Sequence, residues 1–136
     1  MNGNNTNNPQ PAKKPSALIF VVDDEPMLLE LASVILEPEG YRIETFRDPE
    51  TALQKFASAQ PRPDLLITDY AMHTMNGMQL IEQSRKLEPS QKILLVSGTV
   101  GEEIYATTSI RPDCFLAKPY QADQLTAAVK ALLAQK

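Results

Sequence analysis

The sequence predicts an α/β fold in which a doubly wound, five-stranded parallel sheet carries helices on both faces. After residue 16, five short apolar segments alternate with helical patterns, the arrangement that gives parallel strands joined by right-handed crossovers. Residues 17–22 (ALIFVV) and 93–96 (ILLV) are apolar throughout, as in strands covered on both faces. Length gives the third observation, since 136 residues are enough for one core but not for two.

The first half of the chain contains two strands and two helices. Strand one, residues 17–22, is followed by a helix that begins near Pro26 and ends before Gly40. Its apolar stripe consists of Leu28, Leu29, Leu31, Ala32, Ile35 and Leu36. Residues 41–46 alternate in polarity, which predicts an exposed strand near an edge. Asp48 followed by Pro49 indicates the capped start of the second helix.

The second half continues the same alternation. Residues 65–68 (LLIT) predict a buried third strand that runs directly into Asp69. A loop over 70–77 leads to the third helix, and strand four at 93–96 ends at Ser97. A less apolar fourth helix is predicted around 102–109, strand five at 114–117, and a last helix from about Ala122.

Composition narrows the class of protein. The formal net charge of −4 gives no general attraction to nucleic acid or anionic lipid, and no apolar run reaches the roughly 20 residues of a membrane span. The single cysteine, Cys114, excludes an internal disulfide and fits a reducing compartment. Residues 1–16 predict a disordered polar leader, and 17–136 a stand-alone cytoplasmic domain with no output domain.

Charged and hydroxyl side chains follow four of the five strands. In chain order they are Asp23, Asp24 and Glu25, then Asp69, then Ser97 and Thr99, then Lys118. Each group alone has an ordinary explanation as a turn, a helix start or a surface residue. Because the carboxyl ends of parallel strands meet at one edge of the sheet, where ligands bind, their coincidence predicts a single site.

Three carboxylates in one crevice need a cation. Two unit charges about 4 Å apart repel by roughly 4 kcal/mol at an effective dielectric of about 20. An all-oxygen cluster suits Mg²⁺, or Mn²⁺ as a substitute, and does not suit zinc. A metal ion together with Lys118 and a hydroxyl is typical of a phosphoryl-binding site.

The motifs VVDDEP, DLLITDY, NG, LLVSGT and FLAKPY resemble those of the response-regulator receiver domains of two-component signalling, the CheY-like family. The resemblance covers residue 17 to the C-terminus. It implies a flavodoxin-like sheet in the order 2-1-3-4-5, with Asp69 as phosphoacceptor. It also implies that Asp24 binds Mg²⁺ directly, Asp23 through water, and Ala71 through its backbone carbonyl.

The same resemblance assigns the remaining site residues and the partners. Lys118 pairs with a phosphoryl oxygen, Ser97 hydrogen-bonds the phosphoryl group on activation, and Phe115 is the aromatic switch. His73 stands where a proline is common, and we expect an exposed loop residue there. The implied phosphoryl donor is a histidine kinase or histidine phosphotransfer protein. The implied domain is not an enzyme in its own right, acts on an unnamed protein target, and is a monomer or weak dimer.

Other functions are compatible with parts of this pattern. A phosphatase of the haloacid-dehalogenase type needs a second acid two residues after its nucleophile, where this chain has Ala71. An FMN-binding protein would offer Ser, Thr and Gly in the first loop, which here is acidic. A receiver that binds partners without phosphorylation would not need every key side chain. A phosphorelay intermediate, or a receiver from a longer regulator or hybrid kinase, stays open.

The small side chain of Ala71 leads to a first prediction. It borders the acceptor, where side chains tune the access of water, and we expect it to do little to block hydrolysis of the phosphorylated form. Ala71→Leu should therefore slow dephosphorylation severalfold. Loss of the phosphoryl group, followed by intact-mass spectrometry, measures the rate, and an unchanged rate would contradict the expectation.

Overall fold

The computed structural model describes residues 16–135, so the predicted leader lies outside the described residues apart from Ser16. The strands are β1 (Leu18–Val22), β2 (Arg42–Phe46), β3 (Leu65–Asp69), β4 (Ile93–Ser97) and β5 (Cys114–Ala117). The α-helices are α1 (Pro26–Leu36), α2 (Pro49–Ser58), α3 (Gly77–Leu87) and α4 (Ala122–Ala134). Short 3-10 helices occupy Glu37–Glu39 and Glu102–Tyr105. No helix between residues 16 and 135 is both long and apolar enough to cross a bilayer.

The five strands form one parallel sheet in the order β2-β1-β3-β4-β5. This confirms the predicted 2-1-3-4-5 order. The register pairs Val22 with Thr68, Asp69 with Val96, and Ser97 with Ala117, so the strands end level with one another. The residues that follow β1, β3, β4 and β5 therefore lie along a single edge of the sheet.

Helices cover both faces of the sheet, as predicted, and each face has its own core. On the face covered by α1 and α4, the strands contribute Ile19, Val21, Leu65, Ile67, Leu94 and Val96. On the face covered by α2 and α3, they contribute Leu18, Phe20, Val22, Leu66, Ile93 and Leu95. Successive residues of a strand therefore point into opposite cores, which is the two-residue period of a strand buried on both faces. Leu31 departs from the predicted stripe of the first helix and is 42% exposed.

Local signals fix the helix boundaries near the site. The Asp48 side chain accepts a hydrogen bond from the Thr51 N–H at 3.3 Å, which confirms the predicted cap of α2. α3 begins with a reciprocal capping box, because the Asn76 side chain accepts from the Gln79 N–H and the Gln79 side chain accepts from the Asn76 N–H. This box holds the start of α3 close to the end of β3.

The predicted fourth helix over 102–109 is wrong. Only Glu102–Tyr105 is helical, and it forms a 3-10 turn, so the described chain has four α-helices. The following residues, ATTSIRP, are rich in Thr and Ser, whose hydroxyls bond to the backbone and compete with helical bonds. The Thr108 hydroxyl does this by accepting a hydrogen bond from the Ile110 N–H at 3.1 Å. Pro112 then prevents any continuation.

The close approach of α3 to β3 leaves no room for a side chain at Gly77. A Cβ atom at Gly77 would lie 2.5 Å from the backbone oxygen of Asp69 and 2.8 Å from Leu95 Cδ1. Gly77→Ala should therefore lower the free energy of unfolding by about 1–3 kcal/mol, although alanine is the better helix former. Urea denaturation measures this change.

Gly101→Ala is the matched control. Its added Cβ would meet only the far end of the flexible Glu103 side chain, at 2.6 Å. We expect a change within about 0.5 kcal/mol there. Equal effects at Gly77 and Gly101 would contradict the proposed role of the backbone contact.

Candidate functional site

A lysine joins two buried carboxylates at the carboxyl edge of the sheet. Lys118 Nζ lies 3.0 Å from Asp23 Oδ2 and 3.2 Å from Asp69 Oδ1. Asp23 directly follows β1, Asp69 ends β3, and Lys118 directly follows β5. The two acids are only 5% and 8% exposed. Because buried charges are stable only when paired, this arrangement accounts for the burial of both acids.

Asp24 completes an acidic cluster with these two residues. Asp23, Asp24 and Asp69 each place a carboxylate oxygen so that all three oxygens lie within 4.8 Å of one another. Lys118 supplies one positive charge against three carboxylates. Hard divalent cations such as Mg²⁺ prefer carboxylate oxygens, so the donor set fits such an ion. The structure thus brings together the acids that the sequence predicted as metal ligands.

Burial and neighbouring charges shift the pKa values of Asp69 and Lys118. Burial raises the pKa of Asp69, and the nearby Asp23 charge acts in the same direction, outweighing the opposing charge and hydrogen bond of Lys118. For Lys118, burial alone would lower the pKa. The hydrogen bond with Asp23 and the charges of Asp23 and Asp69 overcome this and raise it. Lys118 is therefore firmly held as an ammonium ion beside a carboxylate of raised basicity.

Ser97 lies at the end of β4 with its hydroxyl engaged locally. The side chain is buried, and its Oγ accepts hydrogen bonds from the backbone N–H groups of Thr99 and Val100, both at 3.1 Å. These two bonds turn the chain sharply away from the sheet. Ser97 pairs in register with Ala117, the residue before Lys118, which brings the hydroxyl position to the same edge.

Phe115 and Ala71 occupy opposite environments. Phe115 is half-buried in β5 and packs against the core cluster that includes Tyr105 and Leu95. Ala71 is exposed in the loop that follows Asp69.

Cys114 is a free, half-buried thiol, and burial raises its pKa, which fits the expected role of a small packing residue.

His73 makes a contact that the sequence did not predict. The ring is 84% exposed, as expected of a loop residue, but its Nε2 lies 3.0 Å from Asp24 Oδ2. Two loops meet here, one after β1 and one after β3. Loop conformations carry no periodic signal in the sequence, so only the position of His73, four residues after Asp69, pointed to the site.

Comparison with known proteins identifies the family. The family model of the response regulator receiver domain matches residues 19–130. The chain belongs to this family. Receiver domains are signalling domains that bind Mg²⁺ at an acidic pocket and interact with histidine kinases and downstream effectors.

Curated relatives of this receiver domain are longer proteins. SphR, an alkaline phosphatase synthesis transcriptional regulatory protein of Synechococcus elongatus, is 30% identical over 131 residues, covering 90% of this chain and 51% of SphR. TcrX, a probable transcriptional regulatory protein of Mycobacterium tuberculosis, is 30% identical over 85% of this chain and 49% of TcrX. The chain therefore spans about half the length of these two relatives.

Solved receiver structures share the fold over nearly their whole length. A CheY-like receiver domain protein of Methanospirillum hungatei has a TM-score of 0.80 and 27% identity, over 88% of this chain and 94% of that one. The response regulator TrrA of Thermotoga maritima, solved in complex with Mg²⁺–BeF, has a TM-score of 0.74 and 34% identity. That match covers 85% of this chain and 98% of TrrA.

The raised pKa of Asp69 predicts how the acid affects stability. An acid that holds its proton more tightly in the folded chain makes ionisation unfavourable to folding. This penalty is absent below the ordinary pKa of 3.8 and is complete once the pH exceeds the folded value. Asp69→Asn should therefore raise the thermal midpoint at neutral pH, and the gain should vanish below about pH 4.

Thermal unfolding followed by circular dichroism, in buffer with a metal chelator, tests this expectation. Asp123→Asn, in the exposed first turn of α4, is the control and should change the midpoint little at any pH. A lower midpoint for Asp69→Asn at neutral pH would mean that the ion pair with Lys118 outweighs the effect of burial.

Proposed function

We propose that this receiver domain accepts a phosphoryl group on Asp69 from a phosphohistidine donor, with Mg²⁺ or Mn²⁺, and that phosphorylation switches a protein-docking face. One observation carries the proposal. Lys118 contacts both Asp23 and Asp69, while Asp24 lies within the same 4.8 Å cluster. A nucleophile, a fixed cation and a set of metal ligands thus share one crevice, as phosphoryl transfer requires.

The side chains have distinct parts in the transfer. Asp69 attacks the phosphorus in line with the leaving imidazole nitrogen, and its carboxylate lies 3.2 Å from the Lys118 ammonium group, which is placed to meet the incoming phosphoryl oxygens. As the new O–P bond forms and the P–N bond breaks, charge spreads over the equatorial oxygens. The ammonium group of Lys118 is held in place by its contacts with Asp23 and Asp69, and it stabilises that charge.

Asp23, Asp24 and Asp69 would hold the divalent cation, with the backbone carbonyl of Ala71 as a further ligand by resemblance to the family. When bound, Mg²⁺ neutralises charge on the incoming phosphoryl group and on the acids. The Mg²⁺–BeF complex of TrrA, which is 34% identical to this chain, supports the proposal.

We propose that Ser97 links the acceptor to the docking face. An aspartyl phosphate adds negative charge and acceptor oxygens next to Ser97. The hydroxyl then leaves the N–H groups of Thr99 and Val100 to donate to the phosphoryl group, and Phe115 turns inward. In this chain the affected surface comprises the 3-10 helix Glu102–Tyr105, β5 and α4.

The proposed partners follow from this chemistry. The donor is a histidine kinase or a histidine phosphotransfer protein, and the target is a protein that reads the docking face, with the chain acting as substrate and switch. The domain acts as a monomer or weak dimer. We propose a cytoplasmic response regulator whose receiver occupies residues 17–136. A phosphorelay intermediate, or the receiver of a longer regulator or hybrid kinase, is the alternative.

Acetyl phosphate, a small-molecule phosphoryl donor, tests the assignment of the acceptor. With Mg²⁺ present, the chain should gain the mass of one phosphoryl group, because Asp69 needs only a positioned donor and a metal ion. The adduct should be sensitive to hydroxylamine, as expected of an acyl phosphate. Intact-mass spectrometry reads both results.

Two aspartate variants serve as controls. Asp69→Ala should lose the adduct completely, whereas Asp123→Asn, at the start of α4, should keep it. An adduct that survives in Asp69→Ala would refute the assignment. Continuous turnover of phosphate monoesters by the wild-type chain would instead favour a phosphatase.

A further inference from the structure

His73 places the only imidazole of the chain against the acidic cluster. Its Nε2 lies 3.0 Å from Asp24 Oδ2, and Asp24 contributes an oxygen to the three-carboxylate group. Lys118 pairs with the other two acids, Asp23 and Asp69. Among the ion pairs of residues 16–135, Asp24 has histidine and not lysine as its partner.

The spacing of the two atoms is that of a hydrogen bond, and neighbouring ligands on one ion have the same spacing. With metal–ligand bonds of about 2.1 Å, adjacent ligands of an octahedral ion lie about 3.0 Å apart. Nε2 and Asp24 Oδ2 are 3.0 Å apart. His73 is not among the three residues whose ligand atoms all lie within 4.8 Å of one another, so its ring must turn toward an ion held by the acids. The ring is 84% exposed, so packing does not fix its orientation.

An imidazole nitrogen changes which ions a carboxylate site prefers. Mg²⁺ takes oxygen ligands and gains little from a nitrogen, whereas late first-row divalent ions such as Co²⁺, Ni²⁺ and Zn²⁺ bind imidazole well. We propose that His73 is a nitrogen ligand of this metal centre and raises its preference for late first-row ions over Mg²⁺. This rests on the metal centre of the proposed function, and it replaces the all-oxygen site predicted from the sequence by a mixed nitrogen and oxygen site.

The experiment measures the affinities of Ni²⁺ and Mg²⁺ for the tag-free full chain by calorimetric titration. All titrations are made at one pH and in one buffer. His73→Gln is the matched variant, because the glutamine amide reaches the position of Nε2 and can donate a hydrogen bond to Asp24, but is a poor ligand for Ni²⁺. We expect it to weaken Ni²⁺ binding at least about tenfold and Mg²⁺ binding by less than about twofold.

A second readout tests whether the His73 ring lies beside the bound ion. Since the chain contains one histidine, its ring proton signals in NMR report on His73 alone. Substoichiometric Ni²⁺, a paramagnetic ion, should broaden these signals strongly. Cys114→Ser should not alter either result, because Cys114 is at the opposite end of β5, about 10 Å along the strand from Ala117.

The outcomes separate this inference from the metal centre itself. Equal weakening of the binding of both ions in His73→Gln would mean that His73 only orients Asp24, and no weakening of either would mean that His73 does not take part in the site; both results overturn the inference. Mg²⁺ binding that is lost in Asp69→Asn upholds the metal centre whatever His73→Gln does. If the wild-type chain binds neither ion at millimolar concentration, the metal centre fails and the inference fails with it.

Discussion

The contact of one ammonium group with two buried carboxylates is the interaction on which this site depends. Lys118 extends from the end of β5 past β4 to reach the ends of β3 and β1, and so ties the outer part of the sheet to its centre. Without that charge, Asp23 and Asp69 would be two like charges in a region almost closed to water, which is unfavourable. These three side chains are kept in place by the order of the strands, by the level strand ends and by the two apolar cores.

The second constraint is the position of the Ser97 hydroxyl, whose lone pairs are engaged by the backbone while its proton can still be donated. In this structure it accepts hydrogen bonds from the two N–H groups that turn the loop after β4. A phosphoryl group on Asp69 would accept the Ser97 proton and draw the side chain toward Asp69, away from the two N–H groups. Where a side chain has two arrangements, a modification that stabilises one of them shifts the population between them. The coupling that we propose between site and surface is short, since it passes through one side chain and two amides.

Much of the fold and site was predictable because both follow from patterns that repeat. Apolar runs marked β1, β3 and β4, and parallel strands necessarily bring Asp23, Asp69 and Lys118 to one edge. Two features followed no such pattern. The helix expected at 102–109 was overridden by Thr and Ser side chains that bond to the backbone, as Thr108 does. The contact of His73 with Asp24 depends on how two irregular loops approach each other, which composition and spacing do not encode.

The irregular segment between β4 and β5 has consequences for recognition. Between residues 101 and 108 its backbone–backbone hydrogen bonds are local ones, from Ile104 to Gly101, from Ala106 to Glu103 and from Thr108 to Tyr105. A partner that fixes this segment in one conformation must offset the chain entropy that is lost on ordering it. Complexes of that kind are weaker for a given area of buried surface, yet one segment can adapt to partners of different shape. Breadth of recognition and short-lived complexes would follow wherever binding at this segment is accompanied by such ordering.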